Sequence, residues 1–470
     1  MRTFATVVLQ VAIILYTVFH FVTTSFAAPT LLLLLSISGL TLFLSALFYH
    51  SIQKFKLPFV IFMIGFLILL LTDGPVLEEV FAGTAKMRNM IGLLVIVPLI
   101  SYVLQEEPYI EDVMGLFYKL IDTSQKFYLT LVGFTQIISY FLLFGSITMM
   151  YQFVQIILKN KTSEAWEYFK GTALLRGFGL STLWVISIPS FIYAVDTLDA
   201  SLWRAIMQGF VFAIIGSLLA MIFMAVRMRR YKVDVTTELR LELQDVLRQA
   251  SSHEVQVKKT IEFGLLFLTL FGSIFLLHGL FDFALMILIP LVILVWMFLF
   301  YIYKGKTKKF FTALKDYTKH NMAKQSYQLS IMIAVGVLIF ALDQTDFSAY
   351  FIGGLNYIQS VFPFINFLYL LPFIVIILGF CGLGPLTVMV LVAGILQSMP
   401  LPYPPELMVL AITSGSAISI FLSPIVMPVI VLSAANGLSL LTNGIKFNWK
   451  FAAAFYCLVQ VYIQTMYYFV

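Results

Sequence analysis

Two stretches of small polar residues interrupt otherwise apolar sequence, and they are where chemistry is expected. The first runs from Arg176-Gly177-Phe178-Gly179 through Ser181, Thr182, Trp184 and Ser187 to Pro189 and Ser190. The second runs Ser414-Gly415-Ser416-Ala417-Ile418-Ser419 to Ser423-Pro424. Gly179 and Ser187 have the same spacing as Gly415 and Ser423, and a proline closely follows each serine. Proline lacks an N–H and drives the preceding residue out of the α region, while glycine permits a bend. The pattern therefore predicts helices broken at Gly179/Pro189 and at Gly415/Pro424. Backbone groups freed at a break persist in hydrocarbon only where protein, water or a ligand completes them. Free N–H groups at a half-helix start favour anions, and free carbonyls and hydroxyls at a half-helix end favour Na⁺. Ser416, Ser419 and Ser423 share one helix face. Ser181, Thr182, Ser187, Ser416, Ser419 and Ser423 are thus candidate substrate-binding residues. The alternative is that small polar residues merely allow close helix packing.

A second pair of breaks is weaker. Gly74-Pro75 is followed by Gly83, and Gly384-Pro385 by Gly394, one residue out of register. Thr387, just after Pro385, and Asn436 join the candidate substrate-binding set. Asn436-Gly437 suits a helix end, because both residues tolerate the left-handed conformation. Asp343 closes an apolar run and is the ion-coupling candidate, since acids in or near the membrane are functional candidates by default; its alternative role is an interfacial cap. Arg176 reads either as a counter-charge for an anionic substrate or as an anchor for its helix.

The elements that must position these residues are membrane helices. The 470 residues are 61% hydrophobic and 11% charged, against about 25% charged in soluble domains. A membrane helix needs about 20 apolar residues. Long apolar runs near 5–26, 30–48, 57–72, 127–157, 177–194, 206–226, 261–278, 284–303, 329–345, 362–381, 405–423 and 450–468, with shorter ones near 91–104, 386–399 and 425–440, predict an all-α polytopic membrane protein. It is expected to hold roughly twelve transmembrane helices plus re-entrant or broken ones. Arg2 and the small-residue end at Ser25-Phe26-Ala27 resemble a signal peptide, but the run is long and the expectation is a retained helix.

Loops 227–260 and 304–326 hold about half of the 29 Lys and Arg, which predicts that both are cytoplasmic in a cell membrane. The acids Glu106, Glu107, Glu111 and Asp112 read as lying on the outer side, which requires the segment 73–105 to leave and return on one face. Residues 104–126 suggest an amphipathic interfacial helix. On this topology the two polar stretches cross in opposite directions, an inverted pair that points to a transporter site near the midplane. Residues 1–226 and 261–470 then form two inverted membrane repeats joined by a basic connector, 227–260. Within that connector Leu239, Leu243, Val246 and Leu247 weakly suggest a docking helix.

Several functions are excluded. The five histidines are scattered and the two cysteines, Cys381 and Cys457, lie in apolar runs, so no zinc site is expected. No nucleotide-binding glycine loop and no nucleic-acid motif is present. The broken Gly/Ser/Pro stretches, with Gly382-Leu383-Gly384-Pro385, resemble those of the ion transporter superfamily. That group includes divalent-anion/sodium symporters, arsenite efflux proteins and the large membrane subunits of tripartite dicarboxylate transporters. The resemblance implies two inverted repeats, paired re-entrant hairpins and movement of an anionic solute. The Ser-Asn-Thr signature of the sodium–dicarboxylate branch is absent, with Ser414-Gly415-Ser416 in its place.

The leading expectation is a secondary transporter of a small anionic solute. It would need no cofactor, would couple to Na⁺ or H⁺, and would sit in the lipid bilayer, with a homodimer left open. The alternatives are an intramembrane lipid- or glycan-handling enzyme or flippase, and a non-transporting assembly protein. No convergent catalytic acid, base or metal set supports the enzyme.

Overall fold

A computed structural model describes residues 2–26, 28–107, 109–118, 123–143, 145–158, 161–232, 236–237 and 253–469. Among them the chain is helical, with no strand. Apolar runs in this composition become helices because a helix satisfies its own backbone groups without water. Seven helices are long and apolar enough to cross a membrane: Phe4–Ser25, Pro29–Tyr49, Leu202–Tyr231, His253–Phe281, Leu285–Tyr303, Thr307–Asp343 and Pro405–Asn436. An eighth results if Val76–Lys86 and Arg88–Leu104, bent by 40° to one another, count as one span.

Side-chain bonds fix which helix ends lie together. At one end, called here the basic end, Glu106 pairs with Lys306 and Lys309, and Glu107 with Lys259 and Lys304. Tyr102 donates to Asp316, and Glu164 binds both Lys446 and Tyr231. At the opposite end Lys86 pairs with Asp343, the Ser201 N–H donates to Glu406, and Asn366 bonds Gln464. The helices Leu202–Tyr231 and His253–Phe281, 30 and 29 residues long, run from one end to the other.

This overturns one expectation. The acids Glu106 and Glu107 lie at the same end as the basic 304–326 segment, because they are its counter-ions. Carboxylates contribute little to topology, so reading them as marking the opposite face was unsafe. The segment 73–105 accordingly is a bent passage from the opposite end to the basic end and does not return to its starting face. Of the stretch 104–126, expected to form an amphipathic helix, Tyr109–Tyr118 is helical, with Ile110 and Val113 buried. Helix Leu202–Tyr231 carries the first residues of the connector; residues 238–252, including the docking-helix pattern, lie outside the described residues.

Two apolar runs do not cross. The run 127–157 folds as Ser124–Leu142 and Gly145–Ile157, joined at Leu143. Ser124 bonds Thr236 near the basic end, and the Lys161 carbonyl beyond the second arm accepts from Lys170. Both feet of this first hairpin therefore stand at the basic end. The run 362–381 is the 14-residue helix Phe367–Phe380, and it returns as the 12-residue Pro385–Leu396. Phe367 and Tyr403 bond at the opposite end, so this second hairpin has both feet there. Pro372 within its first arm frees the carbonyl four residues earlier, and Gln460 donates to that Leu368 oxygen at 3.0 Å.

The acid–base cluster at the basic end predicts an acid-sensitive fold. Burial alone would raise the Glu106 carboxyl, but hydrogen bonds from Lys309 and Lys306 hold it below its usual value of 4.5. The bond from Lys259 does the same for Glu107. A carboxylate with a depressed folded pKa adds stability above its unfolded pKa, and that stability is lost as pH falls through the folded value. Thermal unfolding of the purified protein should therefore lose stability below about pH 4.5. The loss should be smaller in a Glu106→Gln/Glu107→Gln variant, and an equal loss in both would contradict the assignment.

Candidate functional site

Each hairpin tip meets a break in the helix that follows it. After the first hairpin, Glu164–Ser181 ends, residues 182–188 turn, and Pro189–Thr197 resumes. Pro189 opens the second half, where its missing N–H costs nothing. The tip reaches this break through Gln136 and Tyr140. Trp184 donates to Gln136 at 3.0 Å, and the Tyr140 and Trp184 rings meet edge-on at 5.2 Å. After the second hairpin, Pro405–Leu422 ends, residues 423–426 turn, and Met427–Asn436 resumes. Ser423 donates to the Gly379 carbonyl at 3.2 Å, and Ser416 to the Pro385 carbonyl at 3.4 Å. Both tips turn at a positive φ, Leu143 at 46° and Gly382 at 94°.

The two units interlock. Pro189–Thr197 packs on the returning arm of the second hairpin, with Ser190 Oγ 3.5 Å from Met389 Sδ. Met427–Asn436 packs on Gly145–Ile157, the returning arm of the first.

The predicted residues fall into three groups. Ser181, Thr182, Ser187, Ser416, Ser419 and Ser423 all lie in or beside the two breaks, buried to within 1%. Ser181 and Thr182 spend their hydroxyls on the carbonyls of Phe178 and Gly179, closing the end of the half-helix. Ser187 Oγ and Ser419 Oγ, one in each unit, are buried with no hydrogen-bond partner among the described residues. Thr387 is buried in the first turn after the second tip. Asn436 lies away from the breaks. It bonds Asn443 near the basic end, and Gly437 caps its helix in the left-handed conformation at φ 71°, as the Asn-Gly pair predicted.

Several expected helix breaks are displaced. Gly179 and Gly415 lie inside continuous helices. Their role is close approach: a Cβ on Gly179 would collide with the Phe421 ring, and one on Gly415 would sit 2.7 Å from the Pro372 carbonyl. Pro424 lies within its turn, and Pro428 takes the helix-opening position. Gly384 and Pro385 do form a hairpin tip. Gly74 and Pro75 instead form the loop before Val76–Lys86, so this second pair does not occupy matching places.

Asp343 is not free. Lys86 holds it at 2.9 Å, with side-chain exposures of 33% and 23% for Lys86 and Asp343, so any cation there must displace the lysine. Neither partner's spacing in the sequence signals the pair, 257 residues apart.

Arg176 is completely buried, and all five of its N–H donors are engaged. Nε donates to Asn448 at 2.9 Å. Nη1 donates to the Tyr128 hydroxyl and the Ala220 carbonyl, and Nη2 to the Tyr168 hydroxyl and the Phe447 carbonyl. Its guanidinium lies 4.4 Å from the Phe451 ring centre, a favourable cation–π placement. No described carboxylate pairs with it. Arg176 therefore clamps the first broken helix to the first hairpin, to Leu202–Tyr231 and to Phe447–Phe469, and has no donor left for a solute. About two turns earlier on the same helix lies a second buried pair, Glu167 with Lys170. Tyr151 donates to Glu167 at 2.9 Å. Of the two roles the sequence offers Arg176, the bonds fit the anchor; the Glu167–Lys170 pair was missed, its i,i+3 spacing being the available signal.

No group of three or more potential metal-ligating side chains is present among the described residues. No protein-family model matches the chain, and no curated protein sequence matches it.

The clamp predicts a specific loss. Asn448→Leu leaves the Arg176 Nε–H buried without an acceptor, which costs about 1–3 kcal/mol, more for a charged group. The thermal midpoint of Asn448→Leu should fall clearly below that of an Asn→Leu change at the exposed Asn356. Equal midpoints would show that the bond carries no weight.

Proposed function

We propose that the chain is a secondary transporter that moves a small anionic solute by alternating access between two inverted repeats. The observation that carries this reading is the matched pair of hairpin–break units. They enter from opposite ends, and each holds one buried, unpaired hydroxyl, Ser187 or Ser419. A polar atom buried without a partner costs about 1–3 kcal/mol, and a bound solute or ion would recover that energy. Pro189–Thr197 begins two residues after Ser187, and free N–H groups at a helix start favour an anion; Ser419 lies in the last turn of Pro405–Leu422, against Gly379 of the second hairpin.

In this reading the first repeat ends with hairpin, broken helix and Leu202–Tyr231. The second ends with hairpin, broken helix and Phe447–Phe469, in the reverse direction. The eight long or bent spans are joined by Ile52–Leu69, the first broken helix and Phe447–Phe469, giving eleven passes, near the roughly twelve expected from hydropathy. The basic end faces the cytoplasm of the cell membrane, by the positive-inside bias. The buried serines then correspond to an occluded state. Na⁺ or H⁺ coupling and a homodimer complete the proposal.

The test is ligand-dependent thermal stabilisation. Purified protein is screened against di- and tricarboxylates, oxyanions and amino acids, with and without Na⁺ and at two pH values. A ligand at 100 times its Kd adds about 2.7 kcal/mol. A small anion should raise the midpoint, and Ser187→Ala and Ser419→Ala, which remove the hydroxyl without adding bulk, should each remove the response while leaving the unliganded midpoint at or above that of wild type. If no anion stabilises under any condition, or the responding anion is indifferent to both changes, the proposal fails.

A further inference from the structure

A pocket of about 160 Å³ opens at the basic end, between the last turns of Leu202–Tyr231 and the first turn of Phe447–Phe469. Four cations line it: Arg227, Arg230, Lys446 and Lys450. Its walls are aromatic, chiefly Tyr168, Phe447 and Trp449. The charge is poorly balanced. Lys446 is paired with Glu164 at 2.9 Å, whereas Arg230 and Lys450 have no carboxylate partner among the described residues. Arg227 is held over the Tyr168 and Tyr231 rings, 5.7 and 5.1 Å from their centres, and donates to the Tyr231 hydroxyl at 3.3 Å.

The pocket's setting selects its occupant. Below it the lining continues into apolar side chains on the outer surface of the bundle. Val226 and Ile222 are 49% and 54% exposed there. Trp449 is 53% exposed at the rim, beside Lys450. Trp at the interface, cations above and exposed aliphatic residues below match the layers of a bilayer leaflet. A free anion would use only the cations. A lipid uses all three layers, and basic pockets between membrane helices at the cytoplasmic face suit anionic headgroups.

We infer that this pocket binds the phosphodiester headgroup of an anionic membrane lipid, with its acyl chains lying on Val226 and Ile222. The headgroup phosphate bridges Arg230 and Lys450 across the two helices. Tyr168 and Phe447 form the inner wall, and both also accept from Arg176. The lipid therefore braces the outer side of the clamp that joins the two halves. This inference is independent of what, if anything, the chain transports.

The experiment is thermal unfolding of the full chain in a neutral detergent. Added phosphatidylglycerol is compared with phosphatidylcholine and with inorganic phosphate. Phosphatidylglycerol should raise the midpoint more than phosphatidylcholine, and phosphate alone should not. Arg230→Gln/Lys450→Gln should reduce the phosphatidylglycerol response several-fold. Lys308→Gln/Lys315→Gln, which removes equal charge at the same end, should keep it. Equal effects of the two lipids, an equal loss in both variants, or full mimicry by inorganic phosphate would each overturn the inference. A second measurement needs no charge variant: brominated phosphatidylglycerol should quench the emission that is lost in Trp449→Phe more than brominated phosphatidylcholine does, and equal quenching would also overturn it.

Discussion

Backbone polarity in an apolar interior is the constraint on which the rest of this structure depends. A helix that stops inside hydrocarbon exposes N–H and C=O groups that no solvent can satisfy. This chain stops two helices there, at residues 182–188 and 423–426. A hairpin packs against each. At the first break the Ile186 N–H donates to the Tyr140 hydroxyl of the hairpin, beside the bond from Trp184 to Gln136. At the second, Ser423 donates to the Gly379 carbonyl freed near the hairpin tip. The glycines at 179 and 415 let neighbouring chain come close enough.

The same economy explains Arg176. A buried cation without a carboxylate is expensive, yet this one finds five acceptors, drawn from four separate elements. A planar guanidinium is the side chain able to do this, since its donors form a fixed fork. The result ties Phe447–Phe469 of the second half to the broken helix of the first. The two halves are thereby joined through their polar interiors as well as by apolar packing. The moving parts of a transporter would have to be the hairpins and half-helices beyond the clamp.

The sequence made the polar stretches legible, because serine and glycine stand out against Leu, Ile and Phe. It did not place the hairpins. The run 127–157 carries no charge, and only Gly145-Ser146 hints at a turn beside Leu143, a residue that rarely takes positive φ. Glu106 and Glu107 misled for an electrostatic reason: as counter-ions of a basic loop they sit with it. Asp343 looked available because its partner Lys86 is distant in sequence. Asn436 was legible as a helix cap but not as a residue remote from the breaks. Gly179 and Gly415 were rightly matched to one another, though for packing and not for bending.

The claim at the centre of this account is that the two hairpins enter from opposite faces. It is tested most directly by single cysteines in a Cys381→Ser/Cys457→Ser background, labelled in sealed, oriented vesicles with a membrane-impermeant thiol reagent. The sites are Gln125 and Ser163 for the feet of the first hairpin, Phe364 and Ser398 for those of the second, and Gly305 as the marker of the basic end; all are exposed. The account predicts that Gln125, Ser163 and Gly305 label from one face and Phe364 and Ser398 from the other. Labelling of the two feet of either hairpin from opposite faces, or of all four feet from one face, would contradict it.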